Sequence, residues 1–266
     1  MYETNYHRPA NIEDAVRLFS NSEDPKFLSG GQTLLPTMKQ RLAAPSDVID
    51  IKQIEALGGI NVTTDTVTIG AAVTHAEVAS SADIKAAIPA LADLASHIGD
   101  PHVRNMGTLG GSVANNDPAA DYPAAVVALD ATIHTNTRNF SAADFFAGMF
   151  ETALDEGELI THISFKVPTK AAYSKFANPA SRYAMAGVFV ALHKDGSPRI
   201  AVTGAGSDGV FRHEEMETAL TSNWSTDAVA NASVDEDEML SDIHGSATYR
   251  ANLVKVMAKR AVAALS

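Results

Sequence analysis

Two short segments of this chain carry residue types suited to holding an anion. In the stretch FLSGGQTLLPTMK a strand-like run ends at Ser29, and Gly30 and Gly31 precede Gln32 and Thr33. Glycine lacks a Cβ, so this pair can turn sharply and bring backbone N–H groups close to an oxyanion, with the Thr33 hydroxyl as a further donor. The segment Thr108, Leu109, Gly110, Gly111 and Ser112 repeats that design, an adjacent glycine pair flanked by hydroxyl residues. Taken alone, the first segment reads equally as a plain turn. Taken together, two such loops can converge on one diphosphate, the anionic centre of a dinucleotide. The chain has a formal charge of −12, so a diphosphate is retained only where preorganised N–H donors replace its water shell. Each charge-assisted hydrogen bond contributes about 1.5–3 kcal/mol, and roughly five or six of them outweigh a surface field that salt already screens.

Other motifs exclude more than they support. The hexapeptide GAGSDG at 204–209 fits the GxGxxG pattern after an extended run at 199–203. A nucleotide-binding βαβ unit would need a helix opening at the third glycine and an acidic residue closing the next strand. Val210, Phe211 and Arg212 look extended instead, and TSNWSTD is too polar for a buried parallel strand, so a turn is expected there. The 9 histidines are scattered; only His97 and His102 lie close, without HExxH spacing, and no metal site is expected. No GxSxG elbow or GxxxxGK[ST] loop is present. With 0 cysteines, the chain has no disulfide, no thiolate ligand for an iron–sulfur cluster and no thiol nucleophile, so redox chemistry requires an organic cofactor. Its negative charge argues against nucleic acid or an anionic membrane as partner. Asp117 with Pro118 reads as a helix N-cap followed by a first-turn proline, and Asp121 as a first-turn acid, a structural role that still permits ligand contact.

The elements that must position these residues follow from periodicity. At 266 residues, 45% hydrophobic and 20% charged, the chain is expected to fold as two domains. Asn11 should cap a helix carrying Ile12, Ala15, Val16 and Phe19. Strands at 26–28 and around Val48, Ile49 and Ile51 then form a βαβ-like unit. Alternation of Ile60, Val62, Val67 and Ile69 predicts a hairpin, and Ile84, Ile88, Leu91, Ala95 and Ile98 predict one continuous helical stripe. Residues 99–125 read as a long functional loop. A helix at 124–129 and a strand holding Ile163, Phe165 and Val167 lead to a domain boundary at 169–172. Strands at 173–176, 187–193 and 199–203 follow, the last two joined by a turn at Asp195 and Gly196. The acidic run 235–238 is a solvated connection, and Tyr249, Leu253, Val256, Met257 and Ala261 mark a closing amphipathic helix. No basic segment followed by an apolar core opens the chain, and no apolar run approaches the roughly 18 residues of a membrane span, so a cytoplasmic protein is expected.

SGGQTLLPTMKQRLAAPSDVIDI and IGDPHVRNMGTLGGSVANNDPAADYPAAVVALDATI, continued by FFAGMFETAL, GELITHISF, SRYAMAGVFVAL and GSATYRANLVKVMAKRAV, resemble the FAD-binding subunits of the molybdenum hydroxylases (the xanthine dehydrogenase family). The resemblance is to medium subunits of the aerobic carbon monoxide dehydrogenase type and extends over nearly the whole chain. The resemblance implies an α+β fold: a PCMH-type FAD-binding domain at 1–170, with α/β subdomains at about 1–56 and 57–170, then a C-terminal domain at 171–266 with a small antiparallel sheet packed on helices. It implies non-covalent FAD, with 29–33 and 108–112 on the pyrophosphate, Asp121 on the ribityl or adenosine side, and Ile160, Lys175 and Tyr183 approaching the flavin. Lys175 as a solvated strand residue and Tyr183 as a packing aromatic are the alternatives. Gln32 stands where relatives often have histidine, and Arg182 precedes Tyr183 where many have an acidic residue. The implied partners are a small subunit with [2Fe-2S] clusters and a large molybdenum-cofactor subunit, in a heterotrimer that dimerises and passes electrons to an external acceptor. No catalytic residue is assigned to this chain. A self-sufficient FAD oxidoreductase and a flavin-free scaffold or assembly subunit are the competing readings.

Overall fold

The computed structural model describes residues 1–265. The first unit is a three-stranded parallel sheet built from β1 (Asn5–His7), α1 (Ile12–Ser20), β2 (Pro25–Leu28), α2 (Leu34–Lys39) and β3 (Asp47–Asp50), in the order β1-β3-β2. Asn11 caps α1 through its side chain, accepting from the Asp14 amide, as its position predicts. Strand β1 has no apolar alternation to announce it; it is held by β3, which is buried at Asp47, Val48 and Ile49.

The second unit begins with the expected hairpin, β4 (Ile60–Val62) and β5 (Thr66–Gly70), and continues through α3 (His75–Ser80), α4 (Ala82–Ala87) and α5 (Pro89–Ser96). The single helical stripe is therefore broken. Ile88 adopts φ −138° and ψ 75°, because the residue before proline is pushed out of the helical region; Pro89 then starts α5, and Ile98 lies beyond its end. The stretch expected as one long loop is also largely helical, containing α6 (Pro101–Met106), α7 (Leu109–Asn115) and the start of α8 (Tyr122–Ala128). Asp100 and Thr108 accept from Val103 and Gly111 amides and cap the first two of these, which outweighs the low helix propensity of their glycines and asparagines. Pro118, by contrast, opens no helix: Asp117 Oδ1 accepts from the Ala119 amide in a tight turn. Then come β6 (Thr132–Thr135), β7 (Asn139–Ser141), α9 (Ala142–Phe145), the short pair β8 (Phe146–Gly148) and β9 (Glu151–Thr152), and β10 (Ile160–Lys166). The resulting antiparallel sheet has the order β4-β5-β10-β6-β7.

The remainder is a four-stranded antiparallel meander of β11 (Lys170–Ala177), β12 (Ala184–Leu192), β13 (Pro198–Gly206) and β14 (Gly209–Arg212), followed by α10 (Glu214–Ser222), α11 (Thr226–Asn231) and α12 (Ala247–Ala263). GAGSDG is the β13-β14 turn, with Gly206 opposite Gly209, as expected from the extended residues after it. All seven residues of α8 are buried, the pattern of a helix packed on every side. It lies between the second unit and the meander, in a core that joins Leu91, Val126 and Ile163 to Tyr173 and Phe189. Val188 and Val190, on the opposite face of β12, pack instead with Met257 and Ala258 of α12, following the two-residue period of a strand. Among the described residues no helix is long and apolar enough to cross a membrane, and no group of three or more His, Cys, Asp or Glu could hold a metal ion.

Candidate functional site

A cavity of about 560 Å³ opens between the first unit, the second unit and the β11–β12 connection at Ser181, Arg182 and Tyr183, within the size range of organic-ligand sites. The turn after β2 forms one wall. Pairing with β3 ends where the Ile51 amide donates to Leu28 O; Gly31 then takes φ +68°, a left-handed turn that costs glycine nothing. The chain enters α2 through Thr33, whose side chain makes no cap bond. Among the described residues no acceptor in the chain engages the amides of Gly30, Gly31, Gln32 and Thr33. Orphan N–H groups facing a cavity are what an anion requires. Gln32 folds back, its Nε2 donating to Gly30 O at 3.2 Å, which pins the bend.

The second glycine pair lies directly against the first. Ser29 Oγ and Thr108 Oγ1 share a hydrogen bond of 2.8 Å across 79 residues of sequence. A Cβ on Gly30 would collide with Met106 O and fall 2.5 Å from Gly107 Cα. The two segments nevertheless differ in design. Gly110 and Gly111 sit in the first turn of α7 and form no bend, and their amides are already used: Leu109 N donates to Val73 O, Gly110 N to Ala71 O and Gly111 N to Thr108 Oγ1. Leu109 is fully buried in the core and does not line the cavity. What this segment presents is glycine surface and the Ser112 hydroxyl, so the free amides come from one segment only.

Residues 2–169 match the model of a family described as the FAD binding domain in molybdopterin dehydrogenase. The chain belongs to that family. It is 37% identical over 270 residues to the nicotine 6-hydroxylase medium subunit of Paenarthrobacter nicotinovorans, covering 97% of this chain and 95% of the relative. It is 35% identical over 272 residues, with the same coverages, to the carbon monoxide dehydrogenase medium chain of Hydrogenophaga pseudoflava. The solved structure of reconstituted CO dehydrogenase from Oligotropha carboxidovorans superposes with a TM-score of 0.89 at 36% identity, over 98% of this chain and 96% of that one. The protein is thus an FAD-binding medium subunit of the molybdenum hydroxylase type and an oxidoreductase component.

The cavity suits that cofactor. Its free amides are donors of the kind a diphosphate needs, and apolar Ile51, Leu57 and Ile160 also line it, so it offers both anion donors and apolar surface for the two chemistries of FAD. A Cβ on Gly111 would stand 2.9 Å from Thr108 Oγ1 and 3.7 Å from Ser29 Cβ, crowding the junction between the segments.

Asp121 lines the cavity, yet both its oxygens are engaged, by Tyr173 Oη at 2.5 Å and Lys175 Nζ at 2.9 Å. Burial raises this carboxyl above its ordinary range, and Lys175 and Tyr173 pull it partly back. Lys175 is no solvated strand residue: its side chain is 6% exposed, lies outside the cavity lining and also donates to His97 O. Tyr183 is half exposed at the cavity, next to Arg182 at φ +65°. Burial raises its phenol above the usual range, and the charges of Asp117 and Asp121 add to that.

The lining residues that sequence reasoning did not select include His75, Asp117 and Glu158. His75 sits beneath Gly107, whose Cβ would fall 2.6 Å from its Nε2; burial, reinforced by Arg104, lowers it to about 4, so it is neutral near pH 7. Burial pushes the Glu158 carboxyl up, but Arg138, Thr135, Thr137 and the Asp155 amide together bring it down to about 2. The one available signal was the TxxE capping box at Thr74 and Glu77, which positions His75 without revealing that it faces a ligand site.

Proposed function

We propose that this subunit carries electrons out of a cytoplasmic molybdenum hydroxylase, from a small [2Fe-2S] subunit to an external acceptor, while a large molybdenum-cofactor subunit performs the substrate chemistry. The assembly is a heterotrimer that dimerises. Bound flavin supplies the ability to take electrons singly and release them one or two at a time. This chain's residues bind and orient the cofactor: the amides of 30–33 and the Ser29, Thr33 and Ser112 hydroxyls hold the diphosphate, while Ile160 and Tyr183 contact the flavin end. Lys175 acts from behind, by holding Asp121 in place.

The observation that carries this reading is the row of free amides facing a cavity of flavin size, in a chain with 0 cysteines. The chain can house the flavin but has no thiolate ligands for clusters, which must then come from a partner. Co-purification from the native source, with flavin, iron, sulfide and molybdenum analysis, tests it. One flavin per copy of this chain, with iron and molybdenum on two co-purifying chains and electron delivery that needs all three, is expected. Substrate turnover by this chain alone, or a preparation that stays colourless after FAD is added, overturns it.

A further inference from the structure

Asp117 is a carboxylate left over by every role so far described. It lines the cavity, and its hydrogen bond within the chain is from the Ala119 amide to Oδ1, 2.9 Å. Among the described residues it has no ion-pair partner. Asp121 and Glu158, the other carboxylates at the cavity, are saturated: the first by Tyr173 and Lys175, the second by Arg138, Thr135, Thr137 and the Asp155 amide. Burial raises the Asp117 carboxyl above its usual range, so holding it there is costly unless a donor arrives. An acceptor-only group cannot face a diphosphate, whereas it pairs well with hydroxyls.

Its position narrows the choice. Ser29 and Ser112, two of the hydroxyls assigned to the diphosphate, flank the N-terminal end of α7, where Ser29 bonds the N-cap Thr108, and Asp117 follows the other end of the same helix. Seven helical residues span about 10 Å, so Asp117 stands one short helix away from the phosphate end. It also stands beside Tyr183, on whose phenol its charge acts.

We infer that Asp117 clamps the sugar-alcohol part of the cofactor, its carboxylate accepting a hydrogen bond from a hydroxyl of the ribityl chain between diphosphate and flavin ring. This rests on FAD occupying the cavity.

The test uses the full chain stripped of flavin. FAD binding is followed by fluorescence quenching and ADP binding by calorimetry, in the wild type, Asp117→Ala and Asp117→Asn. ADP carries the diphosphate and the adenosine ribose but no ribityl chain. Asp117→Ala should weaken FAD about tenfold to a hundredfold, the loss of one charge-assisted bond, and leave ADP within about twofold. Asp117→Asn, which keeps an acceptor oxygen, should recover part of the loss. Retained ADP binding also reports that the variants fold. Unchanged FAD affinity in Asp117→Ala, or equal losses for FAD and ADP in both variants, overturns the assignment while leaving the flavin reading intact. A wild-type chain that binds neither ligand overturns both.

Discussion

Replacing Gly30 with alanine should separate the two glycine segments that line the cavity. The added Cβ would collide with Met106 O and lie 2.5 Å from Gly107 Cα, both backbone atoms, so no side-chain rotation relieves the contact. Restoring ordinary separation requires the segments to part by about 1 Å. The Ser29–Thr108 bond, 2.8 Å in the intact structure, then stretches past the hydrogen-bond limit. Overpacking costs about 1–3 kcal/mol and the lost hydroxyl bond about 0.5–1.5, which together predict a destabilisation of about 1.5–4.5 kcal/mol. The free amides of 30–33 move with the displaced turn. Losing two of their bonds to the diphosphate would weaken FAD by about a hundredfold or more. Urea unfolding of the flavin-free chain reads the first quantity, and flavin titration at a temperature where the variant is folded reads the second. Gly196→Ala is the control: Gly196 has φ +87° but nothing within 4 Å of where an added methyl would stand, so it should lose about 1–2 kcal/mol of stability and no flavin affinity. If Gly30→Ala binds FAD as tightly as the wild type, close approach of the two segments is not what aligns the donors.

Gly111→Val should reduce flavin retention through a different contact, since its Cβ would meet Thr108 Oγ1 at 2.9 Å; full flavin content after gel filtration would contradict this. Lys175→Met removes the cation from a pair whose side chains are 6% and 4% exposed, and should cost about 3–5 kcal/mol by leaving Asp121 uncompensated. A Lys175→Met/Asp121→Asn double variant should regain part of that in the same melt. Acid should destabilise the protein in two steps. His75 is lowered from 6.5 to about 4, so the unfolded chain takes up a proton that the folded chain refuses, and stability falls as pH drops through that window by up to about 3 kcal/mol. Glu158, lowered from 4.5 to about 2, contributes stability that is present above 4.5 and lost as pH falls toward 2. Urea midpoints between pH 7 and 4 for the wild type and His75→Gln should differ in slope; parallel curves would show that His75 does not titrate as assigned.

The glycine pairs, their hydroxyl neighbours and most strands could be read directly from residue type and spacing, because these depend on local conformational freedom and on a two-residue alternation that survives in one dimension. The β13-β14 turn at GAGSDG was legible for the same reason: the residues after it continue to favour extended backbone. Helix breaks were harder. Ile88 and Pro89 interrupt an apolar period that looks continuous, and Asp100 and Thr108 start helices in a stretch whose composition suggests loop, so a few capping bonds decide what average propensity does not. The chemistry of the cavity was decided mainly by contacts distant in sequence. The amides of Leu109 and Gly110 are consumed by carbonyls of Val73 and Ala71, while those of 30–33 meet no such acceptor; nothing in the two similar motifs announces that difference. Likewise Asp117 and Asp121 are both carboxylates in one short segment, yet only Asp121 meets Tyr173 and Lys175. A polar group is available to a ligand only if folding brings it no partner, and that partner is supplied by a distant part of the chain.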